Sequence, residues 1–381
     1  MSRGGIIVTG GGTAGHVLPA LAVARALVAG GRQPAEITYV GAARGMEARL
    51  VPAAGFSLVT LPGRGIERRI SRRSVQAAAM LALGCARGLA LVARRRPEAV
   101  VSIGGYAALP CALGAAALRV PLVVVNVDAV PGATNRLTGR FATACAIALP
   151  GTPLPRAVLT GAPVRPEVLA VDRTPEGRSA ARRALGLPED RLVVAFTGGS
   201  LGARRLNLAA IGLARAWAAR HDLVVVHVAG ERDLDWARVQ ARDLAGANGL
   251  EYRLVGYEER LPALFAAADV VVARAGASTI AELTVIGTPS VLVPLPGAPG
   301  DHQRLNAERL AEAGAALLVE DAAASAEELA RVLDALLGED ERRRAMGEAA
   351  RRLGRPDAAE RVASLVEEAA RRAPRRVGSK R

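Results

Sequence analysis

Lysine is all but missing from this chain: among 381 residues there is one, Lys380, so the formal net charge of +14 rests on arginine. A Schiff-base lysine, a pyridoxal-phosphate anchor and a Walker-type phosphate lysine each need an ammonium inside the fold, and those chemistries are excluded. Arginine offers planar forks that suit phosphate instead. Aromatic residues make up only 3% of the chain, too few for a base-stacking surface, and the positive charge is spread through arginine-rich helical segments. Nucleic acid is therefore not expected as a partner. The three cysteines, Cys85, Cys111 and Cys145, lie far apart in apolar stretches and lack the spacing of a zinc or redox motif, so they read as buried, reduced thiols of a cytosolic protein. Long hydrophobic runs are scarce. The longest, residues 77 to 93, is interrupted by Gly84, Arg87 and Gly88 and is expected to fall short of a membrane span. The first residues run directly into Ile6-Ile7-Val8 without the charged region and longer apolar run of a signal peptide.

What is present is 51% hydrophobic residue content with high Ala and Gly, in a length that suits two domains. Short apolar runs bounded by glycine alternate with longer helix-like segments, which predicts parallel sheets with crossover helices. The expected strands are 6–9, 37–40, 99–103, 122–125 and 143–148, then 192–197, 223–229, 252–255, 270–273 and 290–293. The halves echo each other: Thr9-Gly10-Gly11-Gly12-Thr13-Ala14-Gly15 and Thr197-Gly198-Gly199-Ser200-Leu201-Gly202-Ala203 both follow a first strand and open a helix. The fold class expected is α/β, with two Rossmann-like, doubly wound domains facing a central cleft. Their bounds are 1–162 and 163–340, followed by helices over 341–372 packing back on the first domain and a basic tail at 373–381.

Gly10-Gly11-Gly12-Thr13-Ala14-Gly15 contains G-x-G-x-x-G after a strand, so a nicotinamide-dependent oxidoreductase is one reading. Against it, the second strand is followed by Gly41-Ala42-Ala43-Arg44 where a ribose-binding acid belongs, and Glu36 stands at the wrong end. His16, one of four histidines, sits at the mouth of that turn and reads as functional, whereas His227 inside a valine strand reads as structural and His221 as surface. Three further polar turns follow strands in the second half: Gly198-Gly199-Ser200, Arg274-Ala275-Gly276-Ala277-Ser278-Thr279, and Gly300-Asp301-His302-Gln303 leading to Asn306. Helix N-termini aimed at one point suit a diphosphate. Glu282 is placed to accept hydrogen bonds from ribose or sugar hydroxyls; standing alone it would read as a solvated helical glutamate.

In combination these turns resemble the MurG-type family of UDP-N-acetylglucosamine transferases, which convert lipid I to lipid II in peptidoglycan synthesis. The resemblance runs from about Ile6 to Ala316. It is carried by Gly11-Gly12-Thr13-Ala14-Gly15-His16, Gly45-Met46-Glu47-Ala48-Arg49, Gly104-Gly105-Tyr106, Pro131-Gly132-Ala133-Thr134-Asn135-Arg136, Pro163-Val164-Arg165, Gly198-Gly199-Ser200, the 274–282 run, and Asp301-His302-Gln303 with Asn306. It implies a GT-B fold whose C-terminal domain holds UDP-N-acetylglucosamine through Arg165, Ser200, Ala277, Ser278, Thr279, Ile280, Ala281, Glu282 and Gln303, with the main chain near Glu258 at the uracil. Thr13, Ala14 and Gly15, with Asp128, are grouped with these contacts while lining the cleft from the acceptor side. The implied acceptor is a lipid-linked muramyl peptide at the cytoplasmic face of the cell membrane, where the protein would be peripheral.

The chain departs from the family where His-Glu-Gln-Asn is usual and it reads Val125-Asn126-Val127-Asp128. Ala107-Ala108-Leu109 stands for small polar residues, Leu201 for a glutamine and Ala162 for an asparagine. Most of these lie on the acceptor side, so a related GT-B transferase with another acceptor is the alternative. No Asp-x-Asp motif closes a strand, so neither a metal nor any other cofactor is expected, and helix N-termini with Arg165 would carry the diphosphate charge. Inverting transfer then needs one general base, for which His16 is the candidate and Asp128 the competitor. A membrane surface is expected over 64–96, where nine arginines, among them Arg68, Arg69, Arg72 and Arg73, flank the apolar stretches 75–83 and 89–92.

Overall fold

Buried on both faces, a strand of a parallel sheet reads as an unbroken apolar run rather than an alternating one, and that is how the central strands of this chain are written. A computed structural model describes residues 4–43, 45–63, 72–199, 202–244 and 249–372, with 72–75 by backbone alone. The first sheet is built from β1 (Ile6–Gly10), β2 (Ile37–Ala42), β3 (Ser57–Leu61), β4 (Ala99–Gly104), β5 (Leu122–Asn126), β6 (Ala144–Ile147) and β7 (Ala157–Leu159), in the order β3-β2-β1-β4-β5-β6-β7. The second is built from β8 (Leu192–Thr197), β9 (Leu223–Val228), β10 (Glu251–Val255), β11 (Val270–Ala273), β12 (Ser290–Leu292) and β13 (Ala316–Leu318), in the order β10-β9-β8-β11-β12-β13. All the described pairings are parallel. Each sheet reverses its direction of winding beside its first strand, at β1/β4 and at β8/β11, and such a reversal opens a crevice at the carboxyl ends of the strands.

Three strands escape the sequence reading: β3, β7 and β13. β7 is exposed at all three residues and β3 is buried only at Leu61, so neither carries the apolar run that marks a central strand. β13 is three residues long. All three stand at sheet edges.

The chain divides into two compact units, one of residues 1–165 with 356–381 and one of 166–355. Each has its own core, around Ile7, Val100, Val124 and Cys145 in the first and around Phe196, Leu213, Val225 and Leu333 in the second. Of the late helices, Asp340–Leu353 stays with the second unit and Ala358–Arg372 belongs to the first, packing on the Ala14–Ala29 helix. There it buries Val362 and Val366 completely. Arg32 ties it down, with Nε 2.8 Å from Glu367 and Nη2 2.8 Å from Glu98. The basic tail, 373–381, lies outside the described residues.

The expectation that the 77–93 stretch is too broken to span a bilayer is corrected in one respect. The Arg72–Arg95 helix is continuous, and its Gln76–Arg95 part is long and apolar enough, by length and composition alone, to cross a membrane. Gly84 and Gly88 do not interrupt it because they are its packing surface: a Cβ on Gly84 would come 2.2 Å from the Pro62 carbonyl oxygen, and one on Gly88 2.6 Å from Pro110. Only 28% of that window is buried, the rest facing outward.

Candidate functional site

In the first unit the turns after β1, β4 and β5 are tied into one edge. Glu47, fully buried, anchors the first of them: one carboxylate oxygen accepts from the Ala42 N–H at 2.8 Å and the other from Gly12 N–H at 3.3 Å. A Cβ on Gly11 or Gly45 would fall 2.3 or 2.0 Å from that carboxylate, so the backbone closes around it only with glycine there. Tyr39 adds a second anchor, its hydroxyl donating to the Gly10 carbonyl at 2.7 Å. Burial, with Glu47 adding, pushes the phenol up, which keeps it a donor.

Thr13 caps the Ala14–Ala29 helix in extended geometry, yet its hydroxyl goes to the His16 ring, 3.1 Å from Nδ1, and not to a helix N–H. Gly105, at φ +75, lies against the same imidazole: its Cβ would sit 3.5 Å from Nδ1. From Gly105 the contacts continue through Thr134, whose hydroxyl donates to the Gly105 carbonyl at 3.0 Å. Asn135, one residue on, donates to Val125 O and Asn126 Oδ1, both at 3.1 Å, and Asn126 donates to the Asp128 carbonyl at 2.6 Å. The unusual loop thus uses Asn126 for its own scaffolding and buries Val125 and Val127. His16 and Asp128 come to the same sheet edge, with Thr13 exposed and Ala14 and Gly15 half-buried beside them.

In the second unit the Ala277–Ile286 helix opens at Gly276, with Ala277 and Ile280 buried and Ser278, Thr279 and Ala281 half-buried. The Ser278 hydroxyl is shielded from solvent and has no hydrogen-bond partner among the described residues. Glu282 is buried, 6% exposed, so it is not the solvated helical glutamate it would be on its own. Arg274 is a brace: its guanidinium reaches Val293 and Pro294 carbonyls at 3.1 and 3.0 Å and lies 2.7 Å from Asp321. Asn306, also buried, donates to Ala275 O at 3.0 Å and pins the His302–Glu312 helix to the same turn. Gln303 accepts from Leu295 N–H at 3.0 Å, which leaves its amide nitrogen as a donor. His302 is spent on the Pro299 carbonyl, 2.9 Å away. Glu258 follows β10, at the far edge of the sheet, and accepts from the Arg260 N–H at 2.8 Å. Arg165 is half-buried at the end of the first unit. Ser200, Leu201, Arg68 and Arg69 lie outside the described residues, as do the side chains of Arg72 and Arg73.

One polar network was not foreseen. His227 is buried within β9, with Nδ1 2.7 Å from the Tyr252 hydroxyl and Nε2 2.9 Å from Asn207 Oδ1. Since Asn207 donates its own amide to Ala229 O at 3.0 Å, its oxygen is the acceptor, and the imidazole is the neutral Nε2–H form. Burial lowers the ring's pKa to about 4. The network continues to Asp233, 1% exposed, which Arg204 and Arg232 meet at 3.1 and 3.3 Å. It underlies the glycine turn, for a Cβ on Gly202 would lie 2.4 Å from Ala229 O. The signal was there in a histidine among valines and an asparagine in an apolar helix. Asp233-Leu234-Asp235 has the letters of a metal-binding pair, but Asp233 is buried on arginines while the Asp235 side chain is 97% exposed. Among the described residues no group of three His, Cys, Asp or Glu side chains is arranged to hold a metal ion.

Two Rossmann-like units, each with glycine turns and helix N-termini at the carboxyl edge of its sheet, define the GT-B fold. Residues 6–147 match the glycosyltransferase family 28 N-terminal domain and residues 193–362 the family's C-terminal domain. The "UDP-N-acetylglucosamine--N-acetylmuramyl-(pentapeptide) pyrophosphoryl-undecaprenol N-acetylglucosamine transferase" of Moorella thermoacetica is 39% identical over 370 residues, covering 95% of this chain and 98% of the relative. The enzyme of the same name from Clavibacter sepedonicus is 38% identical over 377 residues, 98% of this chain and 99% of its own. The crystal structure of Acinetobacter baumannii MurG superposes with a TM-score of 0.74 at 27% identity, covering 96% of this chain and 99% of that one. The chain belongs to this MurG family of UDP-N-acetylglucosamine transferases, within glycosyltransferase family 28.

Proposed function

We propose that the chain transfers N-acetylglucosamine from UDP-N-acetylglucosamine to the muramyl C4 hydroxyl of undecaprenyl-pyrophosphoryl-MurNAc-pentapeptide, lipid I, forming lipid II with inversion at the anomeric carbon. The observation that carries the donor half is the first turn of the Ala277–Ile286 helix. A shielded hydroxyl without a partner, Ser278, stands there beside the buried Glu282. Such a hydroxyl costs free energy until something meets it, and the adjacent helix N-terminus favours an anion. Ser278 and the N–H groups around it would hold the diphosphate, Glu282 and the Gln303 amide the sugar or ribose hydroxyls, and the backbone near Glu258 the uracil. Arg165 and Ser200 complete the donor set. Leaving-group charge is then carried by oriented dipoles and arginine. His16 takes the proton from the acceptor hydroxyl as it attacks, and Asp128 is the rival for that role.

The acceptor is lipid-linked, and the Gln76–Arg95 helix supports a peripheral seat on the cytoplasmic face of the membrane. It exposes Met80, Leu83 and Leu89 by 41, 48 and 40%, with Arg87, Arg94 and Arg96 exposed close by. The test is transfer of radiolabelled N-acetylglucosamine from UDP-N-acetylglucosamine to a lipid I analogue, alongside thermal shifts with UDP and with NADPH. Stabilisation by NADPH and not by UDP would return the glycine turn to an oxidoreductase.

A further inference from the structure

At the opposite, amino-terminal edge of the second sheet lies a cavity of about 530 Å³, lined from one side by Arg173 and Arg178 and from the other by Asp340, Arg343, Arg344, Gly347, Glu348 and Arg351. The second group is a stripe of the Asp340–Leu353 helix at the three- and four-residue spacing of one face. A charged stripe of this kind ordinarily meets water on the outside of a helix. Here two glycines let it turn inward: a Cβ on Gly347 would come 2.8 Å from the Gly287 carbonyl, and one on Gly287, at φ +80, 2.5 Å from the Arg351 side chain. Asp269, at the entry to β11, forms the floor. It is already taken by Arg178 at 2.6 Å, Arg182 at 2.8 Å and the Val193 N–H at 2.7 Å.

The remaining cations are not matched. Arg173 donates to the carbonyls of Phe265, Ala266 and Ala268, and has no carboxylate of its own. Arg351 has neither an ion pair nor a hydrogen bond among the described residues. Arg343 and Arg344 share the single carboxylate of Asp340. Five arginines therefore face three carboxylates across one concavity. Burial chiefly, with the repulsion of Arg178 adding and Asp269 opposing, brings Arg173 down to about 9.

We propose that this cavity binds a small, soluble anion of the diphosphate class, bridging Arg173 and Arg178 on one wall to Arg344 and Arg351 on the other. It is separate from the donor turns, which lie at the far ends of the same strands, about 13 to 20 Å away for strands of four to six residues. Guanidinium forks suit phosphate oxygens, and a dianion cancels the excess charge.

The test is calorimetric titration of the intact chain with inorganic pyrophosphate at constant ionic strength, with Arg344→Ala/Arg351→Ala and Arg351→Gln in parallel. The expected result is a saturable site whose affinity falls roughly tenfold or more in the double variant and by less in Arg351→Gln, while affinity for UDP is unchanged in both. Pyrophosphate affinity equal in wild type and variants would place any binding elsewhere and overturn the proposal, as would no saturable heat in the wild type. Arg351 is exposed and makes no ion pair or hydrogen bond among the described residues, with Asp172 within electrostatic reach, so Arg351→Gln keeps the test decisive if the double variant unfolds.

Discussion

For His16 to take a proton through Nε2, its Nδ1 must carry hydrogen and donate to the Thr13 hydroxyl 3.1 Å away. Thr13 is compatible with that tautomer and holds the ring in place, so its loss should act in the same direction as loss of His16. His16→Ala is expected to lower kcat by about 10²- to 10⁴-fold with UDP affinity little changed. Thr13→Val should lower kcat by a smaller factor in the same direction. Near-normal turnover in His16→Ala, together with its loss in Asp128→Asn, would pass the role of base to the carboxylate. A different histidine governs stability. The folded chain holds His227 near 4 against an ordinary value of 6.5, so the unfolded chain takes up a proton that the folded chain refuses. Stability is thus full above about pH 6.5 and falls as pH drops towards 4, by about 3 kcal/mol in all. Melting curves between pH 7.5 and 4 should show this loss in the wild type. His227→Phe should lack that component and instead cost about 1–3 kcal/mol at neutral pH, because Tyr252 and Asn207 lose their partner. Sequence marked His16 by its place at a glycine turn. It marked His227 as structural but not its partners in the His227–Asn207–Asp233 network, which are distant in the chain and meet only in the fold.

Helix ends and helix crossings carry the next level of consequence. Most of the proposed donor set lies in the opening halves of two helices, Ala277–Ile286 and His302–Glu312. Ser278→Ala should weaken UDP binding by roughly tenfold, the value of a hydrogen bond to a charged group. Glu282→Ala and Gln303→Ala should instead weaken use of the whole sugar nucleotide; equilibrium binding of UDP and of UDP-N-acetylglucosamine separates the two effects. The Arg72–Arg95 helix depends on small residues where it crosses its neighbour. A methyl group on Gly88 would press on Pro110 at 2.6 Å, so Gly88→Ala should cost about 1–3 kcal/mol in thermal unfolding. Central strands were legible because burial on both faces leaves an apolar run between turn residues. β3, β7 and β13 were not, since edge strands owe their pairing to one neighbour and carry little apolar signal of their own. The same limit applied to Gly84 and Gly88, which read as interruptions until the neighbours that need them were in view.

Taken as a whole, the molecule carries a charge of +14 that its family chemistry at a lipid-linked acceptor can use. Each arginine near an anionic bilayer contributes about 1 kcal/mol. The chain should therefore sediment with phosphatidylglycerol vesicles at low salt, release at high salt and ignore phosphatidylcholine vesicles. Leu83→Asp, on the exposed face of the Gln76–Arg95 helix, should weaken the bound fraction; equal binding to both lipids would argue against the surface. The order of the units along the chain has a bearing of another kind. The first unit is closed by the Ala358–Arg372 helix, so it is interrupted by the whole of 166–355. A nascent chain translates at about 5–20 residues per second, and roughly ten to forty seconds pass between the emergence of residue 165 and that of the helix that Arg32 awaits. Over that interval the second unit itself emerges, its Asp340–Leu353 helix last, while the Ala14–Ala29 helix waits with an uncovered apolar stripe. Completion of the first unit's packing thus waits on a segment nearly two hundred residues further along the chain, so a chain stopped before residue 358 should leave the Ala14–Ala29 helix uncovered.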